Sequence, residues 1–168
     1  NGATSGAHAT AAESVALGFD TLASGIKSVA LGSGTETPDY GQMGFTSGNF
    51  AAASDARTSI YVLRNNTTDA TQTELFSDAT DDDISLASDC TAFFDASIVA
   101  RQTDADGVSA AYTIKGVFDN NAGTTAFVGS VAVVTVGEDV AGWNVTATAD
   151  NTADGLNVLV TGAAGDAV

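Results

Sequence analysis

The stretch SVALGFDTLASGIKSVALG, residues 14–32, contains the five letters SVALG twice, with their first residues fourteen positions apart. The same shift aligns residues 9–11 with residues 23–25, and a third, weaker copy begins at Gly34. In each copy, apolar residues (Val15 and Leu17, then Val29 and Leu31) alternate with small ones, which is the two-residue period of a strand. Self-similarity at a short fixed period indicates stacked units that bury their apolar faces on one another. The alternative is chance recurrence, which two five-residue identities in one register disfavour.

So few units bury too little apolar surface to offset the entropy lost on ordering them, which predicts a core shared between copies of the chain. The run ASGIKSVALG, Ala23–Gly32, resembles the head repeat of trimeric autotransporter adhesins, and phage tail fibres carry similar repeats. This resemblance implies a left-handed parallel β-roll whose core is shared by three chains. Ala11 departs from it, because the family prefers glycine there. The expected trimer core comprises Val15, Leu17, Val29, Leu31, Phe45 and Phe50.

The chain divides into three predicted parts: β-roll repeats over residues 1–36, a neck or connector over 37–57, and a sandwich head over 58–168. The connector has no period and holds the only proline of the chain. Phe45 and Phe50 lie within it and require burial, which favours a neck where three chains pack over a disordered hinge. The chain does not begin with Met, so we expect it to be part of a longer protein.

Short strand-like runs separated by turn-forming clusters follow from Arg57 onward. Many short strands without helical periodicity predict an all-β, antiparallel, jelly-roll-like sandwich. The runs are 59–64, 73–76, 83–87, 92–101, 109–119, 125–136, 143–149 and 156–162. Long phrases of this segment, such as IVARQTDADGVSAAYTIKGVFDNNAGTTAFVGS and EDVAGWNVTATADNTADGLNVLVTG, resemble a module of phage tail and virion structural proteins. That resemblance implies a role in the virion and carries no active site.

The charge balance excludes several classes of partner. Against 21 acidic residues stand only 5 Lys and Arg, giving a net charge of −16. Nucleic acids and anionic membrane surfaces both require clustered basic residues, so neither is an expected partner. No stretch approaches the ~20 apolar residues of a membrane span. Solubility is the simplest reason for the acidity, with cation binding as the alternative.

Catalytic patterns are weak in this sequence, and we expect a protein that is not an enzyme and has no cofactor. The single histidine, His8, and the single cysteine, Cys90, are too few for a zinc site, and neither has a partner for nucleophilic catalysis. Pairs of aspartates leave a small glycan hydrolase as the enzymatic alternative.

Surface turns rich in Asp and Asn are the expected contacts with a receptor, because loops carry binding function more often than strands do. The candidates are Asp81, Asp82, Asp83, Asp104, Asp106, Asn120, Asn121 and Asp154. Asp104 and Asp106 are also weak calcium candidates, although Asp is common in turns for reasons of backbone geometry alone.

Taken together, the sequence predicts a homotrimeric phage fibre on the exterior of the virion, in the extracellular medium. Its expected partners are other virion proteins and a glycan or protein receptor on the bacterial surface. The alternatives are a capsid decoration or another purely structural virion component, and a fragment of a bacterial trimeric adhesin.

Overall fold

The computed structural model describes residues 6–103, 106–165 and 168. Every regular element in these residues is a β-strand, so the chain is all-β, as the sequence predicts. No helix capable of crossing a membrane occurs in the part of the chain that the structure describes. The chain forms two compact units: unit 1 contains Asn1–Leu63 and Ser77–Asp82, and unit 2 contains Arg64–Phe76 and Asp83–Val168.

The strands are numbered in chain order. Unit 1 contains β1 (Ala7–Ala9), β2 (Val15–Phe19), β3 (Thr21–Ala23), β4 (Val29–Ser33), β5 (Glu36–Thr37), β6 (Met43–Thr46) and β7 (Thr58–Ile60). Unit 2 contains β8 (Gln72–Leu75), β9 (Ile84–Ser85), β10 (Cys90–Arg101), β11 (Ser109–Asn120), β12 (Thr125–Phe127), β13 (Ala132–Glu138), β14 (Asn144–Asp150) and β15 (Gly155–Thr161).

Unit 1 consists of two sheets whose parallel pairs repeat at a constant offset. One sheet has the order β1-β3-β5, and the other has β2-β4-β6, extended by β7 in antiparallel pairing with β6. Leu17 lies opposite Leu31, and Leu31 lies opposite Phe45, so each step along this ladder advances the chain by fourteen residues. The repeat in the sequence is therefore a repeat in strand register.

A turn that recurs every fourteen residues sets this register. Glu13, Lys27 and Gly41 occupy equivalent places and all have a left-handed φ, of 58°, 59° and 64°. In each case the backbone N–H of the next residue donates to the carbonyl oxygen three residues before it, as from Ser28 to Gly25 at 3.1 Å. The third turn and the strand after it, β6, lie inside the segment that the sequence assigned to a connector. The regular part of unit 1 thus extends to Thr46.

The interior of unit 1 is lined with small and polar side chains, so hydrogen bonds accompany apolar contact there. Ala30, Ser28, Thr35, Thr37 and Gln42 are all fully buried. The hydroxyl of Thr37 donates to the hydroxyl of Ser28 at 3.0 Å, and the backbone N–H of Thr46 donates to the hydroxyl of Thr35 at 3.1 Å. Buried polar groups require such partners. The larger apolar side chains of β2, β4 and β6 alternate with the buried positions and therefore point outward.

Glycines at the repeat positions allow successive strands to approach closely. Gly32 has a φ of +104°, and a Cβ placed there would overlap the carbonyl oxygen of Thr46. Gly18, fourteen residues earlier, has a φ of +135° and stands in the same relation to Gly32. Only glycine satisfies both the backbone angle and the spacing.

Unit 2 contains two four-stranded antiparallel sheets that pack in a sandwich-like manner. In one sheet β10, β12 and β13 all pair with β11, and in the other β14, β8 and β9 all pair with β15. The first sheet buries Tyr112, Ile114 and Phe118, and the second buries Val145 and Val158. The alternating apolar residues of these strands thus face a common core.

The sequence predicted one strand over residues 125–136, and the structure divides it. β12 ends at Phe127 and β13 begins at Ala132. Gly129, with a φ of +84°, lies between them. The apolar run TAFVGSVAVVTV hides this break because Val128 and Val131 continue its pattern, although both lie outside the strands.

Candidate functional site

The outer face of the sheet β2-β4-β6-β7 is apolar and exposed. Leu17 is 67% exposed, Phe19 60% and Phe45 55%. Val15, Met43 and Ile60 on the same sheet are each at least 44% exposed. With strands about 4.8 Å apart, four strands present a face about 14 Å wide. Contiguous exposed apolar surface of this kind marks an interaction site.

Strand register arranges these side chains in rows across the sheet. One row comprises Val15, Val29, Met43 and Ile60, and the next comprises Leu17, Leu31 and Phe45. Val29 and Leu31, on the central strand β4, are half-buried by their neighbours. The structure therefore brings five of the six expected trimer-core residues onto one face. We call this surface, defined by the two rows and Phe19, the apolar face.

Phe50, the sixth expected core residue, lies outside the strands of the apolar face. Its side chain is 88% exposed. The carboxylate of Asp55 accepts hydrogen bonds from the backbone N–H groups of Ala51, Ala52 and Phe50, at 2.6, 2.8 and 2.7 Å. These bonds, led by the one from Ala51, lower the pKa of Asp55. The loop is thus organised by its own hydrogen bonds while its phenylalanine ring remains exposed.

Buried polar contacts in unit 1 join β7 and the residue after it to the third repeat. The hydroxyl of Tyr61 donates to Oδ2 of Asp39 at 2.7 Å, and Asp39 is only 8% exposed. Burial, followed by the charge of Asp39, raises the pKa of Tyr61. Gln42, also buried, donates from Nε2 to the hydroxyl of Ser59 at 2.9 Å. These buried polar contacts hold β7 and Tyr61 against the third repeat.

The loop candidates of unit 2 lie at both ends of β11. Asn120 is the last residue of β11 and Asn121 follows it, whereas Asp106 lies in the hairpin before the start of β11. Twelve residues of strand span about 40 Å, so these groups cannot contact one small ligand together. Asp154 is near Asn120, because its backbone oxygen accepts from Leu86 N–H at 2.9 Å and Leu86 also contacts Asn120.

Asn120 serves as a structural clamp and is not accessible to a receptor. Its side chain is 1% exposed. Its Nδ2 donates to the carbonyl of Leu86 at 2.9 Å, and its Oδ1 accepts from Gly123 N–H at 2.9 Å. Asn121 is exposed and Asp154 is partly exposed. The turn pattern in the sequence does not distinguish these two situations, since Asn suits both.

The three consecutive aspartates 81–83 do not form one site. Asp81 is exposed, and its N–H is one of three backbone groups that donate to Oδ1 of Asp78. Those N–H groups, led by that of Thr80, lower the pKa of Asp78. Burial raises the pKa of Asp82, whose carboxylate accepts from the hydroxyl of Ser77 at 3.3 Å. Asp83 belongs to unit 2, where it meets a different set of groups.

An acidic cluster that the sequence did not indicate surrounds β15 in unit 2. Glu74 lies on β8, Asp83 directly precedes β9, and Asp150 ends β14. All three strands pair with β15, which is why residues so far apart in sequence meet. Burial, followed by the charges of Asp83 and Asp150, raises the pKa of Glu74 to about 7, and the Glu74 and Asp83 side chains are hydrogen-bonded. Glu74 therefore keeps its proton to higher pH than a solvent-exposed glutamate does.

Asp150, the third member of the cluster, is held in its ionised form. It accepts from the N–H of Thr152 at 2.6 Å, from that of Ala153 at 3.3 Å, and from Nδ2 of Asn157 at 3.2 Å. The bond from Thr152 makes the largest contribution to lowering the pKa of Asp150. Asp150 therefore carries a negative charge, which adds to burial and to Asp83 in raising the pKa of Glu74.

The structure gives no arrangement typical of a metal site in the residues it describes. Within residues 6–103, 106–165 and 168, no group of three or more His, Cys, Asp or Glu side chains is arranged to hold a metal ion. Asp104, one of the two calcium candidates, lies outside the described residues, and Asp106 is a fully exposed side chain 3.7 Å from Arg101. His8 is on β1 in unit 1, and Cys90 begins β10 in unit 2.

Comparison with known proteins identifies no relative. No family model matches the chain, and neither the curated proteins nor the solved structures contain a significant match. The functional argument therefore depends on the surfaces described above, and chiefly on the apolar face.

Proposed function

We propose that the chain is a trimeric fibre protein of a bacteriophage and attaches the virion to its bacterial host. In this proposal the two parallel ladders of unit 1 form a short β-roll stem, and three copies share one core. Unit 2 is then a jelly-roll-like head that carries the receptor contacts. The protein lies on the exterior of the virion, joined to other virion proteins, and performs no catalytic step.

The observation that carries this proposal is the apolar face. Its two rows contain no charged residue, in a chain with a net charge of −16. A surface intended for water in so acidic a protein would be expected to carry Asp or Glu. Self-association buries this face in every copy at once, and a closed ring leaves none of it exposed. The resemblance of the repeat to trimeric adhesin heads supports three as the number of copies.

Attachment by a trimer depends on multivalency. Three weak sites on one rigid body bind a surface much more firmly than one site does, without any new contact. In unit 2 the candidates Asn121 and Asp106 are exposed and Asp154 is partly exposed. The carboxylate and amide oxygens of these side chains can accept hydrogen bonds from the hydroxyl groups of a glycan or from the backbone N–H groups of a protein receptor.

The trimer is tested by placing a charge on the apolar face. Leu17→Asp is expected to convert the assembly to a monomer, because three carboxylates would be buried in the shared core. The matched control is Ile26→Asp, which alters a side chain of similar exposure (49%) in the turn before β4. The control should remain trimeric in sedimentation velocity, with far-UV circular dichroism confirming that both variants are folded. A Leu17→Asp variant that remains trimeric contradicts the proposed core.

Attachment is tested with the same pair of variants. Fluorescently labelled wild-type protein and the Ile26→Asp control should bind cells of the host bacterium and compete with phage adsorption. The monomeric Leu17→Asp variant should bind at least ~100-fold more weakly, because it loses avidity. Trimeric protein that binds no host cells and does not slow adsorption would contradict the attachment role and favour a purely structural role in the virion.

A further inference from the structure

The strand β10 forms a long open edge of unit 2. It runs from Cys90 to Arg101, and among the described residues it pairs with β11 alone. Twelve residues extend about 40 Å, whereas most strands have five or six. All twelve pairs with β11 are in continuous register, without a bulge. One side of this strand therefore presents a straight row of backbone N–H and C=O groups to its surroundings.

The devices that usually protect such an edge are missing from β10. Edge strands are commonly interrupted by proline, lysine, a bulge or short length, because an open edge recruits further strands. β10 contains neither proline nor lysine, and residues 96–100 are uncharged. Val99 is 81% exposed and Phe93 67% exposed on its outer face. An unprotected edge of this length calls for a partner strand.

The charges of β10 identify that partner as a second copy of the same strand. Asp95 and Arg101, its two charged residues, lie three positions before and three positions after Ile98. If two β10 strands pair antiparallel with Ile98 opposite Ile98, each Asp95 lies opposite the Arg101 of the other copy. The edge is thus complementary to itself, with two ion pairs and no like charges opposite each other. We propose that β10 is a self-pairing edge that joins two copies of unit 2 in one continuous eight-stranded sheet.

The contacts within one chain leave both charged groups available. Lys115 contacts Asp95 through Oδ2 at 2.6 Å, which leaves Oδ1 for a second cation. Arg101 is 3.7 Å from Asp106, and both side chains are more than two-thirds exposed, so this pair contributes little and is readily exchanged.

The charge of the chain also favours a second copy of β10 as the partner over a strand of arbitrary sequence from another protein. The protein has 5 basic residues, and two of them, Arg101 and Lys115, lie on β10 and its neighbour β11. β10 itself has no net charge, in a chain of −16. Here two strongly acidic molecules can meet without placing carboxylates against each other, as they would if Asp95 lay opposite Asp95.

Charge reversal tests the pairing in the intact chain. In sedimentation velocity over a range of concentrations, the wild type should form a species of twice the mass of the assembly that the apolar face produces. This doubling is expected whatever the number of copies in that assembly. Asp95→Arg and Arg101→Asp should each weaken the doubling at least ~10-fold, because like charges then face each other twice. The variant with both changes should restore the doubling relative to either single change, since the ion pairs between copies are re-formed with their charges exchanged, although the arginine at position 95 then lies opposite Lys115 within each chain. Asp81→Arg, at an exposed position in unit 1, is the control with the same change of net charge as Asp95→Arg and should leave the doubling unaltered.

The outcomes separate this contact from the proposed trimer. Leu17→Asp, a monomer in dilute solution, should double from one copy to two at the concentrations where the wild type doubles, so loss of the trimer does not remove the β10 contact. Fluorescence of Trp143, buried in unit 2, verifies that each charge variant is folded. Absence of any doubling in the wild type, or failure of the double reversal to restore it in folded protein, overturns the self-pairing edge.

Discussion

Replacing Glu74 with glutamine is expected to stabilise unit 2 at pH 8 and to have little effect at pH 5. Burial and the neighbouring Asp83 and Asp150 raise the pKa of Glu74 from 4.5 to about 7. The native state therefore retains a proton that the unfolded state releases at lower pH. The contribution to stability is complete below pH 4.5, declines as the pH rises to 7, and is absent above 7. Glutamine at this position has no charge to bury at any pH, and its amide can donate to Asp83.

The size of the effect follows from the pKa and from the exposure of the side chain. A pKa of about 7 in place of 4.5 corresponds to about 3 kcal/mol for a group removed from solvent. Glu74 is only half-buried, so solvent screening reduces this to about 1 kcal/mol. The melting temperature of a unit of this size should rise by about 4–6 °C at pH 8.

The assay is urea denaturation followed by fluorescence of Trp143, which is the only tryptophan of the chain and is 5% exposed in unit 2. The free energy of unfolding is measured for wild type and Glu74→Gln at half-unit intervals from pH 4.5 to 8. Asp106→Asn, which removes one charge from a fully exposed side chain of unit 2, is the control and should parallel the wild type. Equal pH dependence in wild type and Glu74→Gln would refute the raised pKa of Glu74.

Three further predictions concern packing, loop order and charge. Gly32→Ala should destabilise unit 1 by more than ~2 kcal/mol in urea denaturation followed by circular dichroism, because the added Cβ overlaps a backbone oxygen. The control is Gly123→Ala, at a residue with a φ of +84° and open space around it, which should lower the free energy of unfolding by about 1 kcal/mol. Equal losses in the two variants would contradict the close approach at Gly32. Asn120→Ala should lower the free energy of unfolding by about 2–3 kcal/mol, measured by Trp143 fluorescence, because it removes a buried side chain that holds two backbone groups. The control, Asn121→Ala, alters an exposed side chain and should lower it by about 0.5 kcal/mol or less. Equal losses would contradict the structural role of Asn120. Raising NaCl from about 0.05 to 0.5 M should increase the melting temperature, because salt screens the self-repulsion of a chain with net charge −16; an unchanged or lower value argues against it.

Much of the fold can be predicted from the repeat and from alternation. The SVALG repeat predicts the fourteen-residue offset of β2 and β4, because identical residues at identical turns have the same register. The third strand, β6, is harder to foresee, since Met43-Gly44-Phe45 keeps only the large-small-large pattern of Val29-Ala30-Leu31. Its position is fixed by the turn at Gly41, whose left-handed φ is a property of the backbone that the amino-acid sequence does not state.

The candidate sites could be predicted only in part. Alternation indicates which residues of unit 1 are large and apolar, and the structure shows that they share an outward face. Whether Asn120 is a clamp or a contact depends on tertiary burial, which turn composition does not encode. The meeting of Glu74, Asp83 and Asp150 depends on three strands pairing with β15, and no local pattern predicts that arrangement.

The most direct test of the account is the mass of the wild-type chain in dilute solution. At concentrations below those at which the β10 edges pair, sedimentation equilibrium should give about 50 kDa, three times the 16.7 kDa of one chain. That result is the one expected if two other copies close the apolar face. A single species of 16.7 kDa over the whole concentration range would contradict the trimeric stem, and the fibre proposal with it.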